Sequence, residues 1–170
     1  MASLVIFAGL PGTGKSTIAR HLAPEVPAFW LRIDAIEQAL RSARNATTDL
    51  GLEGYQVGAA LAHANLTAGL TVIADSVNPI PLTRALWDRT AHTADANMCR
   101  IEVICSDPQK HRHRVENRHP DIAGLNLPNW DAVQSRHYHP WPEADLQLDT
   151  AHLTPTEAVE TILHQLACLR

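Results

Sequence analysis

Leu4-Val5-Ile6-Phe7-Ala8 runs without a polar residue into Gly9-Leu10-Pro11-Gly12-Thr13-Gly14-Lys15-Ser16-Thr17. The apolar run predicts a parallel strand buried on both faces. Ser16 to Leu22 reads as a helix stopped by Pro24. The segment joining them matches G-x-x-x-x-G-K-[ST], a phosphate-binding loop of the Walker A type. Glycines let the backbone turn tightly and bring successive N–H groups onto an anion. The helix start adds unpaired N–H groups and partial positive charge. Lys15 can reach the β- and γ-phosphates, the Ser16 hydroxyl can ligate Mg²⁺, and Thr17 supports the helix start. A chance glycine turn would not bring strand, lysine, hydroxyl and helix into agreement. A dinucleotide-binding turn is disfavoured, because Gly12-x-Gly14 lacks a third glycine and leaves the lysine without a role.

Outward from this loop the chain alternates strands and helices. Ala28 to Asp34 reads as a second strand ending in a carboxylate, followed by a helix with Ile36, Ala39 and Leu40 at helical spacing. Asn45 to Gly54 reads as a polar loop near the ligand cleft. Tyr55 to Leu70 is alanine-rich and helical, with Val57, Leu61 and Ala64 on one face. Thr71 to Asp75 is a β-branched third strand. Leu82 to His92 is helical, and Arg100 to Cys105 is a fourth strand. Asp107 caps the next helix with Pro108 at its first position. Pro120 to Pro128 is a linking segment, Trp130 to Tyr138 a short helix, and Leu146 to Asp149 a fifth strand. Thr154-Pro155-Thr156-Glu157 opens the last helix with a capping box. The pattern predicts an α/β fold of the P-loop NTPase type, a five-stranded parallel sheet flanked by helices. One domain over residues 1–170 is expected, with a small Arg-rich lid at about 108–142.

Composition narrows the class. The chain has 170 residues, 45% of them hydrophobic, and a net charge of −4 with histidine neutral. That balance argues against tight non-specific nucleic-acid binding, which needs a basic surface. Met1-Ala2-Ser3 leads straight into the first strand with no charged leader, and no apolar run approaches membrane-spanning length. Cys99, Cys105 and Cys168 lack metal or disulfide spacing and read as free thiols of a cytoplasmic protein.

Ligands of open α/β sheets sit beyond the C-terminal strand ends, where the loop, Asp34 and Asp75 are expected. Asp34 is a candidate base for an acceptor hydroxyl, or a helix cap. Asp75 reads as a Walker B-type carboxylate holding Mg²⁺ with Ser16, or as a turn cap. Arg112, Arg114 and Arg118 lie on one helix, and Arg114 and Arg118 share a face. They suit closure over phosphates, with a solvated charged helix as the alternative. Ten histidines, including His111, His113 and His119, and His137 with His139, read as solvated residues rather than a metal site. Trp130, Tyr138 and Trp141 read as packing residues, with stacking on a ligand ring as the alternative.

These residues together resemble the small P-loop kinases of the zeta-toxin, polynucleotide-kinase, adenylyl-sulfate-kinase and chloramphenicol-phosphotransferase group. The resemblance rests on the loop, Arg32-Ile33-Asp34, Asp75-Ser76-Val77-Asn78 with Arg84, Arg114-x-x-x-Arg118, and Trp130 through Arg136 to Trp141. It implies ATP as donor, Asp34 as base, and Arg114 and Arg118 as lid arginines. Arg32, Arg84 and Arg136 become candidates for the acceptor site. The expected activity is ATP- and Mg²⁺-dependent transfer of a phosphoryl group to a hydroxyl of a small-molecule or nucleotide-like acceptor. An ATP-driven switch without such an acceptor, and a polynucleotide 5′-hydroxyl kinase, are the alternatives.

Overall fold

The computed structural model describes residues 1–44 and 50–169. Five strands form one sheet: β1 (Ser3–Ala8), β2 (Ala28–Arg32), β3 (Thr71–Asp75), β4 (Asn97–Ile104) and β5 (Leu146–Asp149). Every pairing is parallel and the order is β2-β3-β1-β4-β5. β1 is central, so its apolar run is buried from Leu4 to Ala8. The chain adds β2 and β3 on one side of β1 and β4 and β5 on the other. The strand order therefore reverses beside β1, which is where such sheets open a ligand crevice.

Seven helices are seen among the described residues: α1 (Lys15–Leu22), α2 (Ile33–Arg44), α3 (Glu53–Thr67), α4 (Pro81–Thr93), α5 (Pro108–Asn117), α6 (Trp130–Gln134) and α7 (Pro155–Cys168). One sheet face packs on α1 and α7 through Ile18, Leu22, Ala158, Ile162 and Leu166. The other packs on α3 and α4 through Tyr55, Ala59, Ala62 and Trp87. Helix starts follow the sequence signals. Asp107 accepts from the Gln109 and Lys110 N–H groups at the head of α5, and Thr154 with Glu157 forms the capping box of α7.

Two expectations, on β2 and on the loop before α3, need correction. β2 ends at Arg32, so Asp34 sits in the first turn of α2 and not at a strand end. The inner face of α3 is Tyr55, Gly58, Ala59, Ala62 and Leu66, while Val57 and Leu61 are exposed. Gly58 sits close against its neighbours: a Cβ there would stand 2.5 Å from the Ile33 Cδ1 atom of α2 and 3.2 Å from the Leu31 Cδ2 atom of β2. Of the predicted loop from Asn45 to Gly54, residues 45–49 lie outside the described residues, Leu50 is buried, and Gly54 is already within α3.

The segment after α5 is fastened to the sheet at its far end. Glu102, a buried carboxylate on β4, accepts from the Tyr138 hydroxyl (2.8 Å), the Trp141 N–H (3.1 Å) and the Gln147 amide (2.9 Å). These bonds offset the cost of burying its charge.

Candidate active site

The loop after β1 is shaped by three glycines with positive φ: Gly9 (138°), Gly12 (85°) and Gly14 (104°). A Cβ at Gly9 would meet the Val103 carbonyl at 2.1 Å, and one at Gly12 the Val115 Cγ2 atom at 2.5 Å. Gly14 is the N-cap of α1, with no side-chain cap. The helix's first N–H groups therefore face the loop's cavity unshielded.

Lys15 is buried and its Nζ donates to the Leu10 carbonyl at 2.9 Å. Burial pushes its ammonium down to about 8, against the opposing pull of Asp75 and Asp34. Asp75, the last residue of β3, is also buried, and burial raises its carboxyl above the ordinary range while Lys15, the Ser16 hydroxyl and Arg32 lower it. Its Oδ2 atom is buried without a hydrogen-bond partner.

A cleft of about 830 Å³ collects these groups. Its walls include Gly12, Lys15 and Ser16 of the loop, Asp34 of α2, Asp75 of β3, and Arg114 and Arg118 at the end of α5. Arg32 and Arg136 line it as well. Arg118 is half-buried; its Nε has no hydrogen-bond partner, and its Nη2 donates to the Pro128 carbonyl at 3.5 Å. The Arg136 guanidinium has no ion pair or hydrogen bond among the described residues, yet its charge reaches both Lys15 and Glu37.

Other predicted groups are placed differently. Arg84 is not at the cleft. It is buried, donates to the Asn78, His139 and Pro140 carbonyls, and lies over the rings of Tyr138 and Trp141. A guanidinium so enclosed ties the turn after β3 to the His139-Pro140 segment. Arg114 reaches the cleft wall but is engaged. Its guanidinium donates to the Thr150 hydroxyl (2.7 Å) and carbonyl (2.9 Å), and the Thr150 hydroxyl donates to the Thr13 carbonyl (2.7 Å). Arg112 is exposed and paired with Glu116. His111 is buried rather than solvated. Its Nε2 donates to the Pro11 carbonyl at 2.9 Å and its ring meets Trp130 edge-on, while burial lowers its pKa. Tyr138 and Trp141 are packing residues, as expected.

Besides the expected Arg32, the cleft is lined by Thr150, Trp30 and Asp121, which the sequence does not single out. Thr150 follows β5, so the strand-end rule would have found it. Trp30 and Arg32 lie two apart on β2 and so share a face. Asp121 sits in the link after α5, where nothing in the pattern marks it.

The parallel order and the loop after β1 define a P-loop fold of the kind the small P-loop kinases adopt. A family model described as AAA domain matches residues 4–140, and the chain belongs to that family. No curated protein matches it in sequence. Among solved structures it is similar to the APS kinase CysC of Mycobacterium tuberculosis in complex with AMPPNP and APS, at 19% identity and a TM-score of 0.72 over 98% of both chains. It is similar to Chaetomium thermophilum Kti12 in complex with ADP-AlF3, at 20% identity and a TM-score of 0.69 over 98% of both chains. A gluconokinase from Sinorhizobium meliloti 1021 matches at 18% identity and a TM-score of 0.65, over 99% of this chain and 93% of that one. None of the described helices is long and apolar enough to cross a membrane.

Proposed function

We propose that the chain is a cytoplasmic ATP- and Mg²⁺-dependent phosphotransferase acting on a hydroxyl of a small-molecule or nucleotide-like acceptor. The observation that carries this reading is one cleft lined by the loop lysine, Asp34, Asp75 and Arg118. In this reading residues 9–17 cradle the phosphates, with Lys15 on the β- and γ-phosphates. The lid spans about residues 108–142 of a single domain.

Ser16 and Asp75 suit a magnesium ion, since a buried carboxylate oxygen without a hydrogen-bond partner faces a hydroxyl-bearing helix start. Held there, the ion would supply positive charge against the charge that builds on the phosphoryl oxygens. Asp34 is exposed to the cleft, free to accept the acceptor's hydroxyl proton as its oxygen bonds to the γ-phosphorus. The bond to the β–γ bridging oxygen breaks, and ADP leaves with that electron pair. Arg118 and Arg136 add charge around the transferring group. Arg114 acts through Thr150, bracing the loop rather than touching phosphate.

The AMPPNP complex of the similar APS kinase and the ADP-AlF3 complex of Kti12 support a nucleotide in this loop. The test is a screen of hydroxyl-bearing metabolites and nucleotides for acceptor-stimulated ADP release. A kinase consumes ATP far faster once its acceptor is present. A slow ATP turnover that no acceptor raises would favour a nucleotide switch instead.

A further inference from the structure

Arg32 ends β2 at the cleft wall and faces two carboxylates, Asp121 and Asp75. Its Nη atoms donate to both carboxylate oxygens of Asp121, at 2.8 and 3.1 Å. Its Nε stands 3.7 Å from Asp75 Oδ2 and has no hydrogen-bond partner. The guanidinium lies over the Trp30 ring at 5.2 Å. The two partners differ greatly in exposure: the Arg32 side chain is 18% exposed and that of Asp121 57%. Arg32 is thus a fixed, stacked fork on a rigid strand, and Asp121 is a surface carboxylate on the linking segment that reaches it across 89 residues of chain.

A planar fork held in this way binds any carboxylate or phosphate in the same two-bond geometry. Asp121 is the exposed partner, so on leaving the fork its carboxylate returns to water, and a ligand oxyanion replaces it bond for bond. Arg136 adds a second guanidinium to the same cleft with no carboxylate of its own among the described residues.

We infer that Arg32 is an oxyanion subsite for the acceptor, occupied in this conformation by the Asp121 carboxylate, and that the acceptor is an anion carrying a carboxylate or phosphate besides its reacting hydroxyl. The inference rests on the kinase reading for the word acceptor. The anion subsite itself stands on the Arg32–Asp121 geometry.

The experiment is a calorimetric titration of the full chain, loaded with Mg²⁺ and AMPPNP, with inorganic phosphate and separately with acetate. Wild type is compared with Asp121→Asn and Arg32→Gln. Removing the internal competitor in Asp121→Asn, an exposed and conservative change, is expected to tighten binding of at least one anion about three- to tenfold. Arg32→Gln is expected to weaken it about tenfold or more by removing the bidentate contact. A preference for phosphate marks a phosphorylated acceptor and a preference for acetate a carboxylic acid. Unchanged affinity in Asp121→Asn, or no saturable binding of either anion to that variant, overturns the inference even if Arg32→Gln fails to fold. Failure of AMPPNP to bind would instead overturn the nucleotide reading. The Asp121→Asn comparison still reports on Arg32 in that case, because both proteins share one phosphate loop.

Discussion

The Arg114 guanidinium and the Thr150 hydroxyl are 2.7 Å apart, and that hydroxyl in turn donates to the Thr13 carbonyl of the phosphate loop. The relay joins α5, the end of β5 and the loop in one chain of hydrogen bonds. Thr150→Val keeps the shape and removes the hydroxyl, leaving a buried carbonyl and a guanidinium under-bonded. Such a loss costs about 1–3 kcal/mol. We expect Mg²⁺–AMPPNP affinity and Tm to fall together, read by calorimetry and thermal unfolding. A fall in turnover alone would place Thr150 in the chemistry instead.

Asp34→Asn removes a proton acceptor while keeping size and polarity. Turnover with a stimulating acceptor is expected to drop about 10²- to 10⁴-fold, with AMPPNP affinity retained. Steady-state kinetics beside calorimetry separates the two effects, and an unchanged turnover removes Asp34 from the role of base.

Lys15 gives a pH signature. Its pKa falls from 10.5 to about 8 because the ammonium is buried. Below about pH 8 the folded and unfolded chains are both protonated there and burial of the charge is a standing cost. Between about 8 and 10.5 the unfolded chain still holds a proton that the folded chain has released. Stability of the nucleotide-free protein therefore rises with pH across that window. Denaturant unfolding at pH 7.5 and 9 should show the rise in wild type and not in Lys15→Met. Binding of AMPPNP near pH 9 should take up protons, measured by calorimetry in buffers of different ionisation enthalpy, because phosphate restores the ammonium.

Arg84 predicts a stability effect without a catalytic one. Arg84→Met strands three backbone carbonyls that the guanidinium now satisfies. A loss of about 3 kcal/mol or more in denaturant unfolding is expected. The KM for the acceptor should hold in the fraction that stays folded. A raised KM with unchanged stability would return Arg84 to the acceptor site.

The sheet, the loop and the place of Asp75 at the end of β3 were legible because each leaves a local mark. A central strand shows as an unbroken apolar run, and a phosphate loop as glycines, lysine and hydroxyl at fixed spacing. The inner face of α3 was not legible, since an alanine-rich helix offers little contrast between sides and Gly58 sits close against Ile33 and Trp87. The destination of Arg84 was hidden for a different reason: its acceptors His139 and Pro140 lie 55 and 56 residues away. His111 read as solvated because its neighbours in sequence are charged, whereas its partner Pro11 is 100 residues earlier. Asp121 was invisible because a carboxylate in a proline- and glycine-bearing link carries no periodicity.

Val115 and His111 of α5 pack directly on Gly12 and Pro11, and the chain is pinned again at Tyr138 and Trp141 by Glu102. The roof over the cleft is therefore a bridge with both abutments built into the floor. Its first abutment is the phosphate loop itself, so a swing of α5 as a whole would distort the cradle it serves. Between the two abutments the span from Asn117 to Trp130 touches the floor again where Asp121 meets Arg32.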